Sequence, residues 1–223
     1  RGYVKLKRNI SSTNTKRKSE IPGTCTDKPF YVLIFVGRNY MTGLFWALES
    51  LAWSEDHLVR VAVILAELAS HDPGGNWANR PANSLTTILL PWYPQTLAPV
   101  DKRITSIKAI RTDFPDVAWE VLLTLLPNQH QTSSGAHKPR WRNILPEDWK
   151  PNVTTKEYWT QVIGYAELAV EMASEDLCKL KELVGNLDNL PKPSLDAVLE
   201  HLSSVAIVGL SESQRLPIWL SLT

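Results

Sequence analysis

Three histidines, and a carboxylate beside one of them, mark the two stretches of this chain that mix polar groups with tryptophan. His71 and Asp72 open the first stretch, and His130 and His137 lie in the second. Imidazoles with a carboxylate form a donor set that zinc accepts. Their spacing follows no ligand pattern of a known kind, so no metal ligand is assigned. Ser133-Ser134-Gly135 beside two histidines raises nucleophilic hydrolysis. It lacks the G-x-S-x-G elbow between strand and helix that exposes a reactive serine. Gly74-Gly75 has no Lys-Ser or Lys-Thr behind it, which excludes a phosphate-cradling P-loop. The basic run Lys138–Arg142 has the charge to meet phosphates, but it reads better as a solvated loop beside an acidic remainder. No catalytic residue, metal ligand or cofactor is assigned.

What these stretches do offer is contact chemistry. They run from Asp72 to Ala98 and from Asn128 to Val153. Trp77, Arg80 and Trp92 in the first, with Trp141 and Arg142 in the second, are the candidate partner-binding residues. Tryptophan supplies rigid contact area and arginine a forked donor, and both concentrate in interface hot spots. The alternative is that Trp77, Trp92 and Trp141 fold inward as satellite cores that pin the loops, since large aromatics are mostly buried. Loops this long are uncommon unless functional or disordered. Their tryptophans argue against disorder.

The elements that must position these loops announce themselves by recurrence. Ser54-Glu55-Asp56, Pro115-Asp116 and Ser174-Glu175-Asp176 return at a spacing of about 60 residues. Each opens an apolar helical run and follows another, so each marks the joint of a helix hairpin. Leu44, Ala47, Leu48 and Leu51 share one helix face, as do Leu58, Val61, Ala62, Leu65 and Leu68. Ser54 is expected to cap the second of these helices. His71-Asp72-Pro73-Gly74-Gly75 breaks it. A second hairpin starts at Pro99 and restarts at Pro115. A third opens with Thr154 and Glu157, a capping box, and restarts at Ser174. A fourth, shorter unit begins at Ser194, and Pro217 opens another helix. A short helical run, Leu85–Leu90, sits inside the first loop. The expected class is all-α: antiparallel hairpins stacked as an irregular α-solenoid or a helical bundle. Both loops follow the second helix of a hairpin, so in a regular array they emerge on the same edge and can touch.

Charge divides the chain. Among its 223 residues, 1–42 carry nine Lys and Arg against Glu20 and Asp27, a net +7. The rest holds 15 cations and 21 anions, a net −6, a poor footprint for nucleic acid. Residues 1–28 are basic and short of large apolar groups, so disorder is expected there. Phe30–Val36 reads as a strand with no partner in the helical chain behind it. That conflict argues that 1–42 is disordered or non-native: a linker, an expression remnant or a wrong reading frame. Residues 43–223 form the helical-repeat domain. Arg1 in place of Met, and an apolar run at Ile218–Leu222, read as a piece of a longer protein truncated at its C-terminus. Cys25 and Cys178 form no paired motif and read as two free thiols in a reducing compartment. Phe30–Val36 is too short to span a bilayer.

From Gly43 onward, Leu48–Ser54, Asp72–Pro81, Leu90–Thr96 and Leu125–Pro127 give the chain phrases that resemble the helical region of large bacterial proteins. The likeness extends loosely to STAND-type ATPases of antiphage defence, in which helices behind a nucleotide-binding domain sense a ligand. The resemblance covers residues 43–223, carries none of the ATPase motifs and implies no catalytic residue. It implies a non-catalytic, cytoplasmic, bacterial scaffold or ligand-sensing segment of a larger protein. Its partner would be a protein or another domain of the parent chain, with no membrane and no nucleic acid. The alternative is a small-molecule or glycan-binding helical domain, and an enzyme stands third.

Overall fold

The structure is a computed structural model that describes residues 41–75, 79–128, 130–140, 145, 149, 152–203 and 211. The expected disordered segment, the expected strand at Phe30–Val36 and the helix expected at Pro217 lie outside the described residues.

Among the described residues the chain is helical and contains no strand. Helices α1 (Met41–Ala52) and α2 (Leu58–Ser70) make the first hairpin. Helix α3 (Pro81–Ile88) sits within the first long loop. Helices α4 (Val100–Asp113) and α5 (Pro115–Leu125) make the second hairpin, and α6 (Thr155–Ser174) and α7 (Leu177–Val184) the third. A short 3₁₀ turn at Leu187–Asn189 leads to α8 (Lys192–Leu202). The hairpins stack in chain order: α2 packs on α4 and α5, both of these pack on α6, and α6 packs on α8. Helix α3 wedges against α1, α2 and α5. One apolar cluster runs through the stack, from Phe45 through Leu65, Leu85, Ile107 and Leu122 to Leu183.

Several joints follow local chemistry. Pro115 occupies the first turn of α5, where its missing N–H has no intrahelical role. The capping box on α6 is present. Glu157 N–H donates to Thr154 Oγ1 at 3.2 Å, and Thr154 N–H donates to Glu157 Oε2 at 3.1 Å. The Thr154 N–H, together with the Thr154 hydroxyl at 2.9 Å, holds the Glu157 carboxyl below the usual carboxylate range. One expected cap and two expected helix starts are corrected. The Ser54 side chain does not cap α2, which starts after His57. Ser54 instead contributes its carbonyl, which accepts from the N–H groups of His57 and Leu58. At the third joint Ser174 ends α6, and Asp176 caps α7 by accepting from Cys178 N–H at 2.8 Å. Ser194 lies inside the first turn of α8, and Pro191 takes the cap position. Cys178 is disulfide-bonded, which corrects the expected free thiol; Cys25 lies outside the described residues.

A buried polar seam fixes the first loop on the stack. Gln161 and Tyr165, one turn apart on α6, are fully buried, and Arg103 of α4 is nearly so. Gln161 Nε2 donates to Leu89 O at 2.9 Å and to Tyr165 Oη at 2.8 Å. The Tyr165 hydroxyl donates to Leu89 O at 3.2 Å. Arg103 Nη1 donates to Gln161 Oε1 at 3.0 Å, and its Nε donates to Ala98 O at 2.9 Å. Burial raises the Tyr165 phenol far above its ordinary range, so it stays neutral and can donate. Leu89 and Ala98 bracket the Pro91–Leu97 loop, so both of its ends are tied to the α4–α6 seam.

Candidate interaction surface

The second long loop crosses the first as an extended strap. From Thr132 to Arg140 the strap makes no backbone–backbone hydrogen bond within the described residues. Side chains hold its main chain instead. Ala136 N–H donates to Gln95 Oε1 at 3.0 Å, and His137 N–H donates to Glu49 Oε2 at 2.9 Å. Trp53 Nε1–H donates to His137 O at 2.9 Å. Glu49 is buried on the inner face of α1, where Ser84 Oγ of α3 also donates to it at 2.6 Å. One carboxyl group thus joins α1, α3 and the strap. Gln95 is itself buried and oriented through Nε2 contacts to Tyr93 O and Pro94 O. Gly135 has φ +82°, and a Cβ there would stand 3.0 Å from Gln95 Oε1 and 3.2 Å from Tyr93 Cε1. Both the backbone angle and the close approach select glycine.

Aromatic rings line the crossing. The Trp46 and His137 rings lie 4.3 Å apart between centroids. Trp53 and Trp149 meet edge to face at 4.9 Å. Lys138 Nζ sits 5.9 Å from the Trp53 ring centroid and 5.0 Å from that of Trp149. Both distances lie within cation–π range. Trp53 is fully buried, whereas Trp46 and Trp92 keep 45% and 39% of their surface exposed. Trp92 stacks on Tyr93 and donates through Nε1 to Gln131 Oε1 at 2.9 Å. Gln131 Nε2 in turn donates to Thr124 O at 2.9 Å. Trp46 and Trp92 therefore both seat on the strap, about six residues apart along it, or at most roughly 20 Å for an extended chain.

The structure brings the two loops together on one edge, as the sequence pattern anticipates. Of the candidate residues, Trp92 lies at this crossing. Arg80 lies at the start of α3, where its Nε donates to Asp72 Oδ2 at 2.7 Å. That ion pair shapes the loop from inside. Trp77, Trp141 and Arg142 lie outside the described residues. The histidines do not gather: His71 ends α2, His130 N–H donates to Asn128 Oδ1 at 2.9 Å, and His137 packs at a tilt against Trp46. Among the described residues no group of three His, Cys, Asp or Glu side chains is placed to hold a metal. No described helix is long and apolar enough to cross a membrane.

Sequence reasoning missed Trp46, Glu49, Trp53 and Gln95. Glu49 carried a usable signal. It falls one turn after Phe45 and one position after Leu48, on the face that α1 buries. A carboxylate on an apolar face needs a partner, and a loop main chain supplies one. No protein-family model matches the chain, and neither a curated protein nor a solved structure matches it.

Proposed function

We propose that the chain is a non-catalytic helical scaffold or sensing segment of a larger protein, and that it binds a protein partner along the edge where its two long loops cross. The observation that supports this reading most is the exposure of Trp46 of α1 and Trp92 of the first loop, both seated against a strap that buried side chains hold. Exposed tryptophan on a held backbone gives contact area at low entropic cost. Around it stand His137 and Lys138, both exposed, which supply donors at the rim. The bacterial, cytoplasmic setting implied by the resemblance belongs to the same proposal.

The experiment compares the wild-type chain with Trp46→Ala/Trp92→Ala. Both are used for affinity capture from cells that express the parent gene. Because both rings are half in solvent, the double variant is expected to melt close to the wild type. A partner retained by the wild type and lost by this variant supports the reading. An identical retained set for both removes the crossing as the partner surface.

A further inference from the structure

The strap sits on the rest of the molecule as a bound peptide sits on a receptor. Its contacts from Gly135 to Lys138 read main chain and one lysine. Gln95 Oε1 and Glu49 Oε2 accept two successive N–H groups, and Trp53 Nε1 donates to the carbonyl between His137 and Lys138. The Trp53–Trp149 corner faces the ammonium. Glycine alone suits the entry position, because of its φ of +82° and the contact with Gln95. The reading groups lie on α1, on the Tyr93–Gln95 loop and at Trp149. Gln95 is oriented by its own loop and Glu49 by Ser84, so both keep a partner when the strap leaves.

Apart from these contacts, Ala136 packs partly buried against the apolar core and His137 against Trp46. Among the described residues the stretch has no ladder of backbone bonds, and its His137, Lys138 and Arg140 side chains are exposed. Segments with few buried contacts and no ladder open first. We infer that the groove formed by Glu49, Trp53, Gln95 and Trp149 is a receptor for an extended, lysine-bearing peptide of the type Gly-small-His-Lys, and that the strap occupies it in cis until such a peptide of the partner displaces it. This inference rests on the partner reading above and names the partner's chemistry. The flanking aromatic Trp46 selects a flat side chain at the His137 position, and the tryptophan corner selects a cation after it. A tethered occupant acts at an effective concentration of about millimolar. The intact chain therefore binds such a peptide weakly, and freeing the strap tightens binding.

The test uses the full chain and a fluorescein-labelled peptide with the sequence of residues 131–140, read by anisotropy. Gly135→Val forces a β-branched side chain onto a left-handed backbone and into Gln95. His137→Pro independently removes the N–H that Glu49 accepts. Each variant that retains its helical circular dichroism is expected to bind the peptide at least ten-fold more tightly than the wild type. A peptide with glutamate at the Lys138 position is expected to bind at least ten-fold more weakly. Equal, weak binding by wild type and folded variants overturns the proposal, as does indifference to the lysine. Loss of the helical fold in both variants overturns it too, because the strap is then part of the fold. A strap-freed variant that captures the partner like wild type yet ignores the peptide removes this groove and leaves the partner surface standing.

Discussion

Replacing Gln161 by leucine puts the buried seam to a quantitative test. The side chain is fully buried on α6 and makes three hydrogen bonds, to Leu89 O, Tyr165 Oη and Arg103 Nη1. Leucine fills similar space, so the cavity contribution is small. Leu89 O keeps a donor, because the Tyr165 hydroxyl reaches it at 3.2 Å. The group left stranded is the Arg103 guanidinium, whose burial already lowers its pKa. A hydrogen bond to a charged group is worth about 1.5–3 kcal/mol, and an unmet neutral one adds about 1 kcal/mol. The expected loss is about 2–4 kcal/mol. For a domain of this size each kcal/mol moves the melting temperature by roughly 2–4 °C, so the midpoint should fall by about 4–16 °C. Urea unfolding followed by helical circular dichroism gives the free energy directly. Arg103→Met removes the stranded charge, so the double variant should recover part of the loss, with a coupling of about 1–3 kcal/mol. A loss under about 0.5 kcal/mol for Gln161→Leu, or strict additivity in the double variant, refutes the seam as drawn.

Three further outcomes are expected. Trp53→Ala empties a fully buried site beside His137 and should cost about 3–5 kcal/mol, whereas Trp92→Ala, on the surface, should cost about 1 kcal/mol; chemical unfolding of the pair measures the contrast. Gly164→Val should destabilise by about 1–3 kcal/mol, because even a Cβ at Gly164 would lie 2.6 Å from Ile104 Cδ1 where α6 meets α4; thermal melting checks it. The Glu157 carboxyl is depressed by Thr154 and the Glu171 carboxyl by Arg111, so their contributions are present above the ordinary carboxylate range and fade as pH falls through the depressed values. Acidification should therefore lower the melting temperature of wild type more than that of Glu157→Gln/Glu171→Gln, by a modest amount since both groups are exposed.

The helices were legible because burial imposes the period of the helix on sequence. Leu58, Val61, Ala62 and Leu65 share one apolar face, and all four are buried. The Thr154–Glu157 capping box was legible because it is local, written within four residues. Ser54 misled because a serine before an acidic pair carries the same signal whether it caps or merely turns. Here the chain spends Ser54–His57 on a turn, and a backbone carbonyl does the work. The strap was legible only as a loop. Its hydrogen bonds to Gln95, Trp53 and Glu49 join residues 41 to 88 positions apart. No periodicity encodes such pairs.

Those long-range pairs also explain why the crossing invites a functional reading. Stacked helices bury their apolar faces between neighbours, and that leaves hydrogen-bonding side chains little to do inside. This chain nevertheless places Glu49, Gln95, Arg103 and Gln161 in its interior, each aimed at main-chain groups or at one another. Arg103 and Gln161 hold the first loop at its ends, Leu89 and Ala98. Glu49 and Gln95 hold the second loop across the first. Buried polar groups cost stability unless all their partners are in place, so they favour one arrangement over many. Two loops that served only as connectors could lie anywhere on the edge. These are fixed in one register, with Trp46 and Trp92 left facing water. The polar side chains set into the core hold the crossing of the two loops, with Trp46 and Trp92 beside it, in one arrangement.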